Sequence, residues 1–310
     1  MSFILADSDF QRVFDKRTTD CFNEELKMKD LNSMIPTFAT IANTQEAYEE
    51  FFYVTGLVGD VPEFNGALTY AAMYPGFHKK FEPKEYAWGI QAQRKLIDDA
   101  KWPVFNDRAK LLAEAFNRTK EKQFARLFTN ATSTAFDFMT SEEGKPLCSS
   151  THLTKTGVST SSGFDNTYSS ALSPTSVAAF RLKLRLLKTD AGERFDGWNN
   201  IGLVVPDALA DYANEITNSV NKPDTANNNV NVQKGRYQVI PYLRLDDSDT
   251  NDWYLVDLDK VKSDFVWFNR IAPEYKNTID FDTYVLLQAV YGRHGYGWKG
   301  WRSIGKSTVS

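Results

Sequence analysis

At 310 residues, with 42% hydrophobic and 25% charged side chains, the chain has the composition of a globular protein with a sizeable core, not of a disordered one. Its formal net charge of −4 argues against general affinity for phosphate backbones, and two cysteines, Cys21 and Cys148, make neither a disulfide framework nor a zinc site. No run approaches the roughly 18 apolar residues of a membrane span, and the opening MSFILADSDF holds too short an apolar patch for a secretory leader, so a protein kept in the cytoplasm is expected.

Residues 1–55 are acidic and read as partly helical, with too few apolar positions to bury much alone; such an arm must lie on another part of the chain or on another subunit. Residues 1–60 carry eleven acids against five bases, a balance of −6. From 61 to 93, short aromatic segments alternate with Pro62, Gly66, Pro75, Gly76, Pro83 and Gly89, which predicts one extended β-hairpin with a Pro-Gly turn near its tip. A helix is predicted from 103 to 130: Pro103 suits a first helical position, Phe105, Ala109, Leu112, Phe116, Phe124, Leu127 and Phe128 follow a 3.6 period, and no glycine or proline interrupts them. It makes a rod of about 40 Å. Residues 132–172 are Ser/Thr-rich and irregular. A second helix opens at the N-cap candidate Ser173 and is expected to run to Gly192.

Beyond it come strand 201–205, a helix opened by Pro206 and Asp207, strand 237–245, the acidic turn 246–252 and strand 253–258, a compact α+β lobe. Strand 264–270 and a glycine-broken β-segment from 283 to 304 complete the chain. Residues 283–310 carry Arg293, Lys299, Arg302 and Lys306 and no acid, so this tail is expected to meet an acidic surface, such as the arm of a neighbouring copy.

Two patterns could carry chemistry. Gly300–Ser307 fits the phosphate-loop pattern G-x-x-x-x-G-K-[ST], but only Thr308, Val309 and Ser310 follow, too few for the helix whose N-terminus holds the phosphates. Cys148 and His152 could pair as nucleophile and base, yet they sit four residues apart in a loop with no third group marked; a buried thiol and a hydrogen-bonded imidazole are the plainer fates. The three histidines, His78, His152 and His294, stand in different segments without metal-ligand spacing, and DDSDTND lacks the glycine and closing glutamate of a calcium loop. No catalytic residue, cofactor or metal is assigned.

What remains is an architecture with parts that cannot satisfy themselves locally. From 143 to 258 the chain resembles the major capsid proteins of tailed bacteriophages, with their HK97-like shell fold. The resemblance rests on EGKPLCSSTHL followed by GFDN, marking Gly144, Leu147, Ser150, Thr151, His152 and Asn166, with Cys148 where an aromatic residue is more usual. LSPTSVAAF, GLVVPDALADYANEI and VIPYLRLDDSDTNDWYLVD follow in the expected order. The resemblance implies an α+β fold: N-terminal arm at 1–55, extended loop at 56–97, peripheral domain at 98–172 with spine helix 103–130, axial domain at 173–262, and a return to the peripheral sheet and tail at 263–310. It further implies self-assembly as hexamers and pentamers into an icosahedral head enclosing double-stranded DNA without sequence-specific binding, put together in the host cytoplasm with no membrane. Scaffold, portal and decoration proteins are admitted as further partners. The intersubunit contact candidates are Tyr70, Tyr74, Phe77, Lys79, Lys80, Phe81, Tyr86, Trp88, Trp298, Trp301, Arg302 and Lys306. Deleting 66–88 is expected to leave a folded subunit that forms no shells. The rival readings are a phage tail or other assembling virion component, and a hydrolase or nucleotide-binding enzyme using Cys148/His152 or Gly300–Ser307.

Overall fold

The computed structural model describes residues 7–30, 33–54, 60–70, 75–93, 102–222, 229–280, 282–283 and 285–309. Its longest helix, α3 (Trp102–Thr129), follows the predicted span, and its apolar period explains its position. Phe124, Leu127 and Phe128 turn into the main core, while Ala109, Leu112, Ala113 and Phe116 make a second, smaller core. That second core is completed by helix α1 (Asp7–Asp30), whose Phe22 is fully buried and stacks on Tyr275 with centroids 5.3 Å apart. The acidic arm therefore lies on its own chain along this stretch. A short helix α2 (Ile35–Phe38) and strand β1 (Thr40–Asn43) lead away from it.

Three sheets share the rest. In the first, strands β2 (Glu49–Val54), β3 (Pro75–Phe81) and β5 (Met139–Ser141) run in the order β2-β3-β5, all antiparallel. The second has the order β1-β10-β11-β4, built on β4 (Lys84–Gln93), β10 (Phe265–Ile279) and β11 (Val285–Trp298). The third, β6-β12-β9-β7-β8, comprises β6 (Thr167–Tyr168), β7 (Ile201–Val205), β8 (Tyr237–Pro241), β9 (Trp253–Asp257) and β12 (Ile304–Ser307). Helices α4 (Pro174–Arg185) and α5 (Ala210–Asn218) accompany the third sheet, and the one-turn helix α6 (Val261–Asp264) leads into β10.

The hairpin expectation is corrected here. β3 and β4 do not pair with each other: β3 pairs with β2, and β4 pairs with β11. Pro75 and Gly76 begin a strand instead of forming a tip. The physical reason is burial. Lys79 and Phe81 of β3 share one face and are buried, and Phe81 packs between Phe51 and Phe268 at 5.6 Å from each. The two segments thus serve different sheets; β3 pairs instead with β2, and residues 60–70 between them are exposed. A deletion of 66–88 would remove core strand β3 and part of β4.

Other boundaries moved for local reasons. Ser173 caps α4 in a reciprocal capping box with Ser176, but the helix stops at Arg185, because Lys188 and Arg194 form a bridge across a tight turn in which Gly192 takes φ +89°. β8 ends at Pro241, which has no N–H to extend it, and a short 3-10 turn follows. β10 continues well past 270, and its register slips between Ile271 and Glu274, a bulge that accommodates Pro273. β11 passes unbroken through Gly292, Gly295 and Gly297; at Gly297 a β-carbon would lie 2.4 Å from the Phe81 ring, so glycine serves close packing there, not a turn. The tail is likewise reassigned: β12 does not join the β10–β11 sheet but lies inside the third sheet, between β6 and β9.

Candidate assembly interface

The residues singled out around 143–166 form a buried polar hub. Asn166 is fully buried; its carbonyl oxygen accepts the Ser149 N–H at 2.9 Å, and its amide donates to the carbonyls of Leu147, Trp301 and Ile304 at 3.0, 3.1 and 2.9 Å. One side chain therefore ties the 147–149 loop to the last turn before β12. His152 lies beside it, its ring parallel to Trp301 at 3.8 Å and 3°. Its Nδ1 is 2.8 Å from Glu143 Oε1 and its Nε2 is 3.2 Å from Asn166 Oδ1. In the neutral ring only one of those contacts can be a hydrogen bond. Burial pushes the imidazole pKa down while Glu143 pulls it up. Burial opposes the charge on Glu143 too, but the bonds from His152 and the Leu153 N–H hold its carboxyl below the usual range.

The ring nitrogens of His152 are taken by Glu143 and Asn166, not by Cys148. Its thiol is buried, and burial pushes its pKa up to about 12, the opposite of an activated nucleophile. The phosphate-loop match is strand, not loop and helix: Lys306 is buried against Asp252 at 2.8 Å, and the Ser307 hydroxyl donates to the Ser170 carbonyl at 2.8 Å. Among the described residues, no group of three or more His, Cys, Asp or Glu is placed to hold a metal ion, and no helix is long and apolar enough to cross a membrane.

The contact candidates divide sharply. Arg302 is buried, with Nη2 on Asp190 Oδ1 and Nε on the Lys188 carbonyl, both at 2.7 Å. The charged tail thus meets acids of its own chain, Asp190 and Asp252, and the expectation of an acidic neighbour for Arg302 and Lys306 is replaced by these pairs. Lys79, Phe81, Trp298 and Trp301 are buried as well. Lys79 lies 5.4 Å from the Trp298 ring centroid, and burial lowers its pKa to about 8 against the pull of Glu143 and Asp264. Phe77, Lys80 and Tyr86 are half-buried; Lys80 pairs with Glu82 at 2.7 Å, and Tyr86 stacks on His294 at 4.5 Å. Tyr74 lies outside the described residues.

Tyr70 and Trp88 remain on the surface, at 88% and 62% exposure. Near Tyr70 in sequence, Val61 (94%), Phe64 (69%) and Leu68 (73%) are exposed too, none of them among the expected contact residues. The stretch DVPEFNGALTY, residues 60–70, is exposed at every position. Four exposed large apolar side chains within eleven residues are more than a well-packed subunit has use for alone. The apolar residues around Pro62 and Gly66 carry this signal in the sequence, where their spacing also fits a strand.

The family model described as phage capsid protein matches residues 79–307. No curated protein sequence matches. Among solved structures, the chain is similar to the capsid of an empty GTA particle (TM-score 0.59, 12% identity, 90% of each chain covered). It is similar also to a chain of Microbacterium phage Oxtober96 (0.55, 11%, covering 90% of this chain and 91% of that one). A third is the procapsid of bacteriophage JBD30 (0.51, 12%, covering 98% of this chain and 76% of that one). At such identities these likenesses speak for the fold, which is HK97-like.

Proposed function

The chain belongs to the phage capsid protein family and is a structural protein of the head shell; from that premise we propose that it assembles as hexamers and pentamers into a closed icosahedral head around packaged double-stranded DNA. The observation that carries the reading is the β2–β3 connection, whose residues 60–70 expose Val61, Phe64, Leu68 and Tyr70 in one stretch of eleven residues without a buried position. Such a surface is stabilised by docking on another copy, where burial of apolar area contributes roughly 25 cal/mol per Å². A net charge of −4 suits a container that must enclose its contents without gripping phosphates. The family's role is structural, and no enzymatic activity is proposed: the thiol at Cys148 is inert and Lys306 is committed to Asp252. Assembly takes place in the host cytoplasm, with scaffold, portal and decoration proteins as further partners.

The test is particle mass by light scattering, with negative-stain images of the same sample. Megadalton closed shells or uniform five- and six-fold rings are expected. Replacing residues 60–70 by a short Gly-Ser linker keeps β2 and β3 intact and is expected to give folded subunits without shells. Tubes from the parent chain would favour a tail component, and intact shells from the loop-replaced chain would remove the loop from assembly.

A further inference from the structure

Acids outnumber bases in the chain, 40 to 36, and cations elsewhere on the surface reach one: Lys155 lies 2.6 Å from Glu142 and Lys183 lies 2.6 Å from Asp165. One region departs from this. Two clefts, of about 680 and 320 Å³, meet at Phe195, which lines both. Each is of a size that holds ligands. The first carries Arg185 and Arg194, the second Lys260 and Lys299. Among the described residues, none of these four side chains forms an ion pair or a hydrogen bond. The two lysines lie over rings instead: Lys299 Nζ is 4.1 Å from the Phe51 centroid, and Lys260 Nζ is 6.0 Å from that of Phe195. Two acids line the clefts, Asp196 and Asp264, and burial opposes the charge on Asp264. The region is thus locally basic on a chain of net charge −4.

Apolar surface runs beside these cations. Phe52 is 63% exposed in the second cleft, and Leu182 and Leu186 are 56% and 54% exposed in the first. Unpaired cations alternating with exposed rings along a concave track suit a chain that offers both phosphates and base faces. A duplex offers its phosphates but keeps its bases stacked inside, which leaves Phe52 and the leucines bare. A single strand supplies a charge and a flat ring at every residue, whereas an acidic peptide residue supplies one or the other. We propose that the track from Arg185 and Arg194, past Phe195, to Lys260 and Lys299 binds single-stranded nucleic acid, with phosphates on the four cations and bases against Phe52 and Phe195. This goes beyond the head-shell reading and does not depend on it. The attraction is local: salt screens the net negative charge of the whole chain within about 10 Å, while contacts in the track persist.

The experiment titrates the full chain into a fluorescein-labelled oligo(dT) of about 16 nucleotides and follows anisotropy at several salt concentrations. Saturable binding is expected, with log K falling against log salt at a slope of about −3, or about 0.7 for each phosphate held. Arg194→Glu with Lys260→Glu is expected to weaken binding by about tenfold or more and to halve the slope. Should that pair not fold, Arg194→Gln with Lys260→Gln reads the same slope. Phe52→Ala, at an exposed position, is expected to weaken binding by about tenfold with the slope unchanged, the sign of stacking. Lys110→Glu with Lys276→Glu makes the same charge change at exposed positions outside the track and is expected to leave binding as in the parent. A parent that binds nothing at low salt overturns the proposal. So does equal weakening by the Lys110/Lys276 pair, which would make the attraction one of net charge. A duplex of the same length that binds as tightly, with Phe52→Ala without effect, overturns it in favour of a backbone contact alone, and tighter binding of an oligoglutamate peptide overturns it in favour of an acidic partner. Shell formation by the parent is read separately by light scattering, so each of these failures leaves the head-shell reading standing.

Discussion

Asn166 offers the most exacting test of how the subunit holds itself together. Asn166→Ala removes one acceptor and an amide whose two hydrogens are shared among three carbonyls. The Ser149 N–H has no other partner to turn to, and the carbonyls of Leu147 and Trp301 lose their donor in a site closed to water. Each orphaned group costs about 1–3 kcal/mol, so the sum is about 4 kcal/mol before any cavity is counted. A domain is stable by only about 5–15 kcal/mol, which makes this a large share. Urea unfolding of the unassembled subunit, followed by tryptophan fluorescence, is the assay, and Trp301 stands next to the hub as a reporter. With a slope of about 3 kcal/mol per molar urea, the midpoint drops by more than about 1 M. Asn166→Asp refines the test. Its buried carboxyl has a raised folded pKa, so the protonated form can donate one bond in acid, and stability is lost as pH rises through that pKa. A midpoint for Asn166→Ala within about 0.3 M of the parent would refute the claim that the hub ties these segments.

Three further outcomes follow from the same packing. Gly297→Ala places a methyl 2.4 Å from the Phe81 ring, and displacing this buried ring costs about 1–3 kcal/mol, measurable as a lowered melting temperature. Arg302→Ala leaves the Asp190 carboxylate and the Lys188 carbonyl without their 2.7 Å partner and is expected to cost about 3–5 kcal/mol in the same urea assay; a loss below about 1 kcal/mol would show that the pair is solvated. Lys79 has its pKa lowered by burial to about 8, below the unfolded value, so the unfolded chain binds the extra proton and stability rises with pH between about 8 and 10.5. Lys79→Met removes that rise, worth roughly 3 kcal/mol, and a parent and variant with parallel pH profiles there would show that Lys79 is not the group responsible.

Period and breakers made much of this fold legible. Helix α3 is marked by seven apolar positions at helical spacing and an uninterrupted span, and β7 is a run of five residues buried on both faces, IGLVV. The Ser173 cap needs only three residues to declare itself. What could not be read was pairing. β3 and β4 are separated by two residues and look like the two arms of one hairpin, yet each is claimed by a strand far away in sequence, β2 and β5 for one, β11 for the other. Local turn chemistry cannot weigh those distant contacts. Charge misled for a related reason. Arg302 and Lys306 stand in an acid-free segment, and their acids, Asp190 and Asp252, come from more than fifty residues upstream. Trp298 and Trp301, expected at an interface, are buried: large aromatic rings serve a core as readily as an interface.

The position of β12 has a consequence for how the chain folds. It is not a terminal tail but an inner strand, parallel to β6 and antiparallel to β9, and its ends are fixed by Arg302 on Asp190 and Lys306 on Asp252. Gly305 meets Phe180 and Leu184 of α4 so closely that a β-carbon would lie 2.5 Å from the Phe180 ring. Until residues 300–307 arrive, α4 has no floor, β9 has an open edge, and two carboxylates destined for burial lack partners. The third sheet therefore closes only after the last strand is made, across a sequence separation that makes closure slow.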